Sequence, residues 1–180
     1  SEYILFRVRI LMARKEYIKV SSLLDMYARV EKSSKIYLLL RAQLQLEWNK
    51  NTVAASATLQ EALNRYGNDT DVLLAGANLA SSTGQKIGGF SATELAEKVL
   101  ATDNINISAL SILVDEYIKE KKWQKAYELN SKIMQSGNYN QKILVNHIDI
   151  CLAINKMAEI EDVFQKLKNS PDLDKEILNE

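Results

Sequence analysis

The stretch ISALSILVDEYIKEKKWQKAYELNSKIMQSGNYN, residues 107–140, decides the fold. Its first half sets Leu110, Leu113, Val114 and Tyr117 at helical spacing, which makes one face of a helix apolar and leaves the rest polar. Glu120, Lys121 and Lys122 interrupt the pattern, and it restarts at Trp123 to run through Ala126, Ile133 and Met134. The spacing therefore predicts two helices joined by a tight turn, and short connections make consecutive helices antiparallel neighbours. One such hairpin cannot bury both of its faces alone.

The same pattern recurs along the chain. About 34 residues further on, His147-Ile148 stand opposite Leu113-Val114, Cys151 opposite Tyr117, Met157 opposite Trp123, Ile160 opposite Ala126, and Leu167-Lys168 close the unit. The same step backwards meets Leu79-Ala80, Thr83, Gly89, Ala92 and Val99-Leu100. Val8, Leu11, Tyr17, Val20, Leu24 and Tyr27-Ala28 phase alike at the start. Residues 36–67 form a further unit, with Ala42, Ala55, Leu59, Ala62 and Leu63 at the small and apolar positions and a slip of about one residue. The chain is thus expected to be a single all-α domain over 1–180, with approximate repeats at 1–34, 35–70, 71–106, 107–140 and 141–170 and a cap at 171–180. Ser91 and Glu94 have capping-box spacing. Ser170-Pro171-Asp172 predicts a last short helix over 171–178. No segment alternates apolar and polar residues between hairpin turns, so strands are not expected.

This period and residue pattern resemble the tetratricopeptide repeat. Leu110, Leu113, Val114 and Tyr117 match that repeat's first helix, Trp123 and Ala126 open the second, and Ile133 closes it. The copies are divergent: Val114 and Ile148 replace the small residue after the Leu, and Gly67, Asn104 and Asn138 stand where proline usually ends the second helix. The resemblance implies a right-handed superhelical solenoid of antiparallel helix pairs.

Composition narrows the chemistry. Of 180 residues, 47% are hydrophobic and 26% charged, and Lys+Arg equals Asp+Glu at 23 each, as in a soluble globular domain rather than a broadly basic nucleic-acid binder. No apolar run approaches the ~18 residues a membrane helix needs. Cys151 is alone, so no disulfide framework can form. One His and one Cys leave little material for a zinc site or a nucleophilic triad, and no cofactor or metal is expected. A chain beginning at Ser1 reads as a processed protein or a fragment, with a removed signal peptide or further repeats both open.

Each reactive-looking residue has a plainer reading. His147 occupies a repeat position filled elsewhere by Leu113 and Leu79, and so reads as a packed, hydrogen-bonded histidine. Cys151 takes the place of Tyr117 and reads as an inert buried thiol. Residues 84–91, GQKIGGFS, lack the Gly-Lys-Ser/Thr ending and the preceding strand of a phosphate loop, and are expected to be a mobile interhelical loop. Glu116, Glu120, Lys121 and Lys122 suit a solvated face. Trp48 and Trp123, at helix junctions, are expected in the core. Carboxylates are many, but nothing pairs them in a cleft.

The functional expectation is a non-catalytic scaffold that binds a protein or peptide partner. By resemblance, the first helix of each pair lines a groove carrying Arg9, Gln43, Asn78, Ser81, Ser111, Asp115, Lys142, Asn146 and Asp149. Leu5, Leu39, Ala77, Ser111 and Val145 stand where relatives that grip a peptide's terminal carboxylate carry lysine, which disfavours that mode. Residues 111–137 also look like a pentatricopeptide unit, which reads single-stranded RNA, but the period and the balanced charge oppose it. A third alternative is the repeat portion of a larger enzyme or of a secretion or envelope-assembly component. Compartment, cytoplasm or periplasm, is left open by the sequence.

Overall fold

The computed structural model describes residues 2–137 and 139–168. Among these are ten helices: α1 Glu2–Ala13, α2 Tyr17–Glu31, α3 Lys35–Glu47, α4 Thr52–Tyr66, α5 Thr70–Thr83, α6 Ala92–Leu100, α7 Ile107–Lys119, α8 Trp123–Gln135, α9 Gln141–Ala153 and α10 Met157–Lys168. The only extended pairing among the described residues is an isolated bridge between Ile87 and Phe90. The helix expected over 171–178 lies outside the described residues. The chain divides into two compact units, one ending at Val99 and the other starting at Leu100.

The short polar breaks start the helices. Asn51, Asn106 and Asn140 each accept a backbone N–H three residues on, at 2.9, 3.1 and 3.1 Å. Asp69 accepts from the amides of Asp71 and Val72, and Ser34 from that of Tyr37. Each cap satisfies an amide the helix cannot use internally. The capping box is present too: Ser91 N–H donates to Glu94 Oε2 at 2.7 Å, and Glu94 N–H to Ser91 Oγ at 3.2 Å.

Inside the hairpins a second device recurs. Lys15, Lys50, Lys121 and Asn155 have φ of 57°, 49°, 56° and 59°, and each lies two residues before the second helix of its pair. Left-handed backbone at a helix end lets the next N–H reach back across the last turn. Lys122 N–H accordingly donates to Tyr117 O, and Lys156 N–H to Cys151 O, both at 2.8 Å. These turns set the antiparallel pairs α1/α2, α3/α4, α7/α8 and α9/α10.

In the first unit Val8, Val20, Leu24, Leu38, Leu44, Leu59, Val72 and Leu95 are buried. Gly76 of α5 lets that helix approach α4 and α6: a Cβ there would lie 3.4 Å from Leu63 Cδ1 and 3.2 Å from Leu95 Cδ1. In the second unit Leu110, Val114, Ala126, Ile133, Ile143 and Ile150 form one cluster across α7, α8 and α9. The small residues expected at close approaches, Ala55, Ala62, Ala92 and Ala126, are all buried.

Residues 84–91 differ from the sequence expectation. Gly84, with φ 69°, closes α5 by donating to Ala80 O. Ile87 and Phe90 exchange both backbone hydrogen bonds, and Ile87 is only 1% exposed. Lys98 Nζ stands 3.5 Å from the Phe90 ring centroid. The loop is pinned by a core side chain rather than loosely draped. Trp48 departs from expectation in the other direction: it is 42% exposed and stacks on Tyr17, with ring centroids 6.3 Å apart. The half-buried Trp123 does pack against the second unit's core.

Consecutive pairs are also tied by polar rungs. Lys35 Nζ donates to Asp69 Oδ2 at 2.8 Å and to Asp71 Oδ2 at 3.2 Å, and Tyr66 OH donates to Ser33 O at 3.0 Å. Asp69 therefore caps α5 and receives the rung together. Partial burial pushes its carboxyl upward, but the Lys35 ammonium and the capped amides outweigh that and hold it below its usual range. A depressed folded-state value contributes stability above the unfolded value, which is lost as pH falls through the folded one. Asp69→Ala should thus cost about 0.5–2 kcal/mol at pH 7. In urea titrations the gap from wild type should narrow as the pH drops below the ordinary aspartate value of 3.8. A gap independent of pH would remove the ionic part of this explanation.

Candidate functional site

The first unit carries a groove of about 650 Å³ between the first helices of two successive pairs. Helix α3 supplies Leu39, Ala42, Gln43, Leu46 and Glu47; α5 supplies Ala75, Asn78, Leu79 and Ser82; Leu59 and Thr52 of α4 complete it. The apolar side chains make a greasy floor, and Gln43, Glu47, Asn78 and Ser82 give it polar edges. Gln43 Nε2 donates to Glu47 Oε1 at 2.7 Å, which fixes both. No lysine or arginine lines it. Such a surface suits an apolar side chain on a chain with hydrogen-bonding backbone.

The sequence-predicted groove residues fall into two sets. In the first unit, Gln43 and Asn78 line this groove, Arg9 lines a smaller cleft with Leu40, Gln43 and Glu47, and Ser81 is half-buried on α5 beside Ser82. In the second unit three of them meet: Lys142 pairs with Asp115 Oδ2, and Asn146 Nδ2 donates to Asp115 Oδ1 at 3.0 Å. That cluster joins α7 to α9, so Asp115 is already engaged within the fold. Ser111 is half-buried on α7 and Asp149 exposed on α9. The apolar floor was not among the predicted residues. Leu39 and Leu46 of α3 nevertheless stand on the predicted first-helix face.

His147 and Cys151 are 4% and 0% exposed. Asn130 Nδ2 lies 3.0 Å from His147 Nδ1 and donates to Ile143 O at 3.2 Å. The other ring nitrogen, Nε2, lies 3.6 Å from Glu159 Oε2. Burial holds the imidazole below its ordinary value despite Glu159, and burial likewise raises the thiol. Glu159 is bound by Lys156 and Tyr127, and these two partners keep its carboxyl low.

No protein-family model matches the chain, and no curated protein matches it. Solved structures do. A tetratricopeptide repeat protein from Parabacteroides merdae superposes with a TM-score of 0.72 at 12% identity, over 91% of this chain and 62% of its own. PilW, a type IV pilus biogenesis factor, superposes with a TM-score of 0.79 at 14% identity, over 98% of this chain and 80% of its own. The fold is that of tetratricopeptide-repeat solenoids. The helix pairs are arranged as in that repeat, as the spacing predicted, and this chain spans less than two thirds of the Parabacteroides protein. Among the described residues, no helix is long and apolar enough to cross a membrane.

Proposed function

We propose that the protein is a non-catalytic scaffold that binds a segment of a protein partner in the groove between α3 and α5. The observation that carries this is the apolar floor of half-buried Leu39, Leu46 and Ala75 and buried Leu79, edged by Gln43, Glu47 and Asn78. An apolar anchor would sit on the floor, and the edge amides would meet the segment's backbone. A groove without a cation and with Glu47 at its edge opposes the RNA reading, since phosphate binding draws on Lys and Arg. The likeness to PilW supports a scaffold working within a larger assembly, with envelope assembly the first setting to test.

Peptides selected from a random display library on the full chain provide the test. Filling the floor with Ala75→Trp, in a variant whose helical circular dichroism is unchanged, should weaken the best peptides at least tenfold in fluorescence polarisation. Lys125→Ala, on an exposed position of α8, should leave them unaffected. Peptides that bind Ala75→Trp as tightly as wild type would move the contact off this groove.

A further inference from the structure

We propose that His147, Cys151 and Glu159 form a zinc site that clamps α10 to α9. His147 and Cys151 stand one helical turn apart on α9, so both side chains leave the same face. Glu159 enters from the first turn of α10. One donor atom from each lies within 4.8 Å of the other two. Around tetrahedral zinc, with bonds of about 2.0–2.3 Å, donors stand roughly 3.3–3.7 Å apart. Rotamer adjustments of about 1 Å therefore close the site. A nitrogen, a sulfur and a carboxylate oxygen form a donor set for zinc, not for calcium or magnesium, which take oxygen, nor for an iron–sulfur cluster, which takes several thiolates.

The surroundings are those a ligand set needs. The two oxygens of Glu159 are divided: Oε1 accepts from Lys156 Nζ at 2.7 Å, and Oε2 faces His147. The Tyr127 hydroxyl, 2.9 Å from Oε1 and 2.8 Å from Oε2, can stay on Oε1. Oε2 is then available to a metal while Oε1 remains held, as supported carboxylate ligands are. On the far side of the imidazole, Asn130 is fully buried and its Oδ1 has no partner. With zinc on Nε2, the ring's one proton sits on Nδ1. A half-turn of the Asn130 amide lets Oδ1 accept it, in exchange for the bond to Ile143 O. A cleft of about 320 Å³, lined in part by Tyr127, His147 and Glu159, gives an entry path and room for a water as fourth ligand.

Charge also balances. Binding forms Zn–N, Zn–S and Zn–O bonds without a change of oxidation state, and the Cys151 thiol proton leaves to solvent. The divalent ion with one thiolate and one carboxylate makes a neutral centre.

The test uses the full chain, stripped of metal, with zinc alone as titrant against a chromophoric chelator. One zinc per chain is expected, with a rise of several degrees in melting temperature at excess zinc. Cobalt(II) should give a thiolate-to-metal charge-transfer band that Cys151→Ser abolishes. Glu159→Gln and Cys151→Ser, each checked for native helical content, should weaken zinc binding at least tenfold. Absence of zinc binding would overturn the proposal. So would a folded Glu159→Gln that binds zinc like wild type, or a cobalt complex without the thiolate band.

Discussion

Ile133→Ala is expected to lower the stability of the full chain by about 2–5 kcal/mol. Ile133 is fully buried in the cluster with Leu110, Val114, Ala126, Ile143 and Ile150, which draws side chains from α7, α8 and α9. Truncation forfeits the burial of the removed carbons and leaves a cavity that helices on either side cannot both close. For a domain whose net stability is of order 5–15 kcal/mol, that is a large fraction. Ile133→Val should cost only about 0.5–1.5 kcal/mol. Lys132→Ala, one residue away and exposed, should stay within about 0.5 kcal/mol. Urea midpoints of the three variants check the series, and equal effects at 132 and 133 would mean that α8 does not present the face described here.

The second large effect is expected in a loop. Ile87→Ala should also cost about 2–5 kcal/mol, because Ile87 is as buried as a helix core residue. The backbone around it is committed to that geometry. Gly88 has φ 59°, and a Cβ there would come within 3.1 Å of Leu63 Cδ1. Lys86→Ala, on the exposed neighbour, should be nearly silent. A silent Ile87→Ala would return residues 84–91 to the mobile loop that their composition suggests.

That loop marks where the sequence stops being legible. The helices themselves were readable, because Leu110, Leu113, Val114 and Tyr117 recur with a helical period that burial on one face demands. Ala55, Ala62, Ala92 and Ala126 were readable as close approaches for the same reason. The glycines at 84, 88 and 89 signal a turn, but they do not say that the residue between them folds inward. Trp48 misled because a large aromatic at a helix junction is usually covered, whereas here Tyr17 covers only one face. The left-handed residues Lys15, Lys50, Lys121 and Asn155 carry no glycine signal, because tertiary pairing of the helices imposes the turn on whatever residue stands there.

The candidate sites divide along the same line. Asp115, Lys142 and Asn146, expected along the groove, come together as a rung between α7 and α9. Gln43 and Asn78 line the pocket between α3 and α5, and its apolar floor carries no polar signal that would single it out from core residues in the sequence. The residues of the proposed zinc site are not marked by composition. The chain has one His and one Cys, and the third residue of the proposed site, Glu159, comes from the following helix. Periodicity places residues on a face of their own helix; it does not say which residue of the next helix meets them.

The most direct measurement is a methyl-resolved NMR titration of the full chain with the tightest selected peptide. Shifts should concentrate on the methyls of Leu39, Leu46, Leu59, Leu79 and Ala75, with those of Ile18, Val30 and Val53, exposed on α2 and α4, unchanged. Shifts that cluster on Ile18, Val30 and Val53 and leave the floor of the groove silent would show that partners are gripped elsewhere.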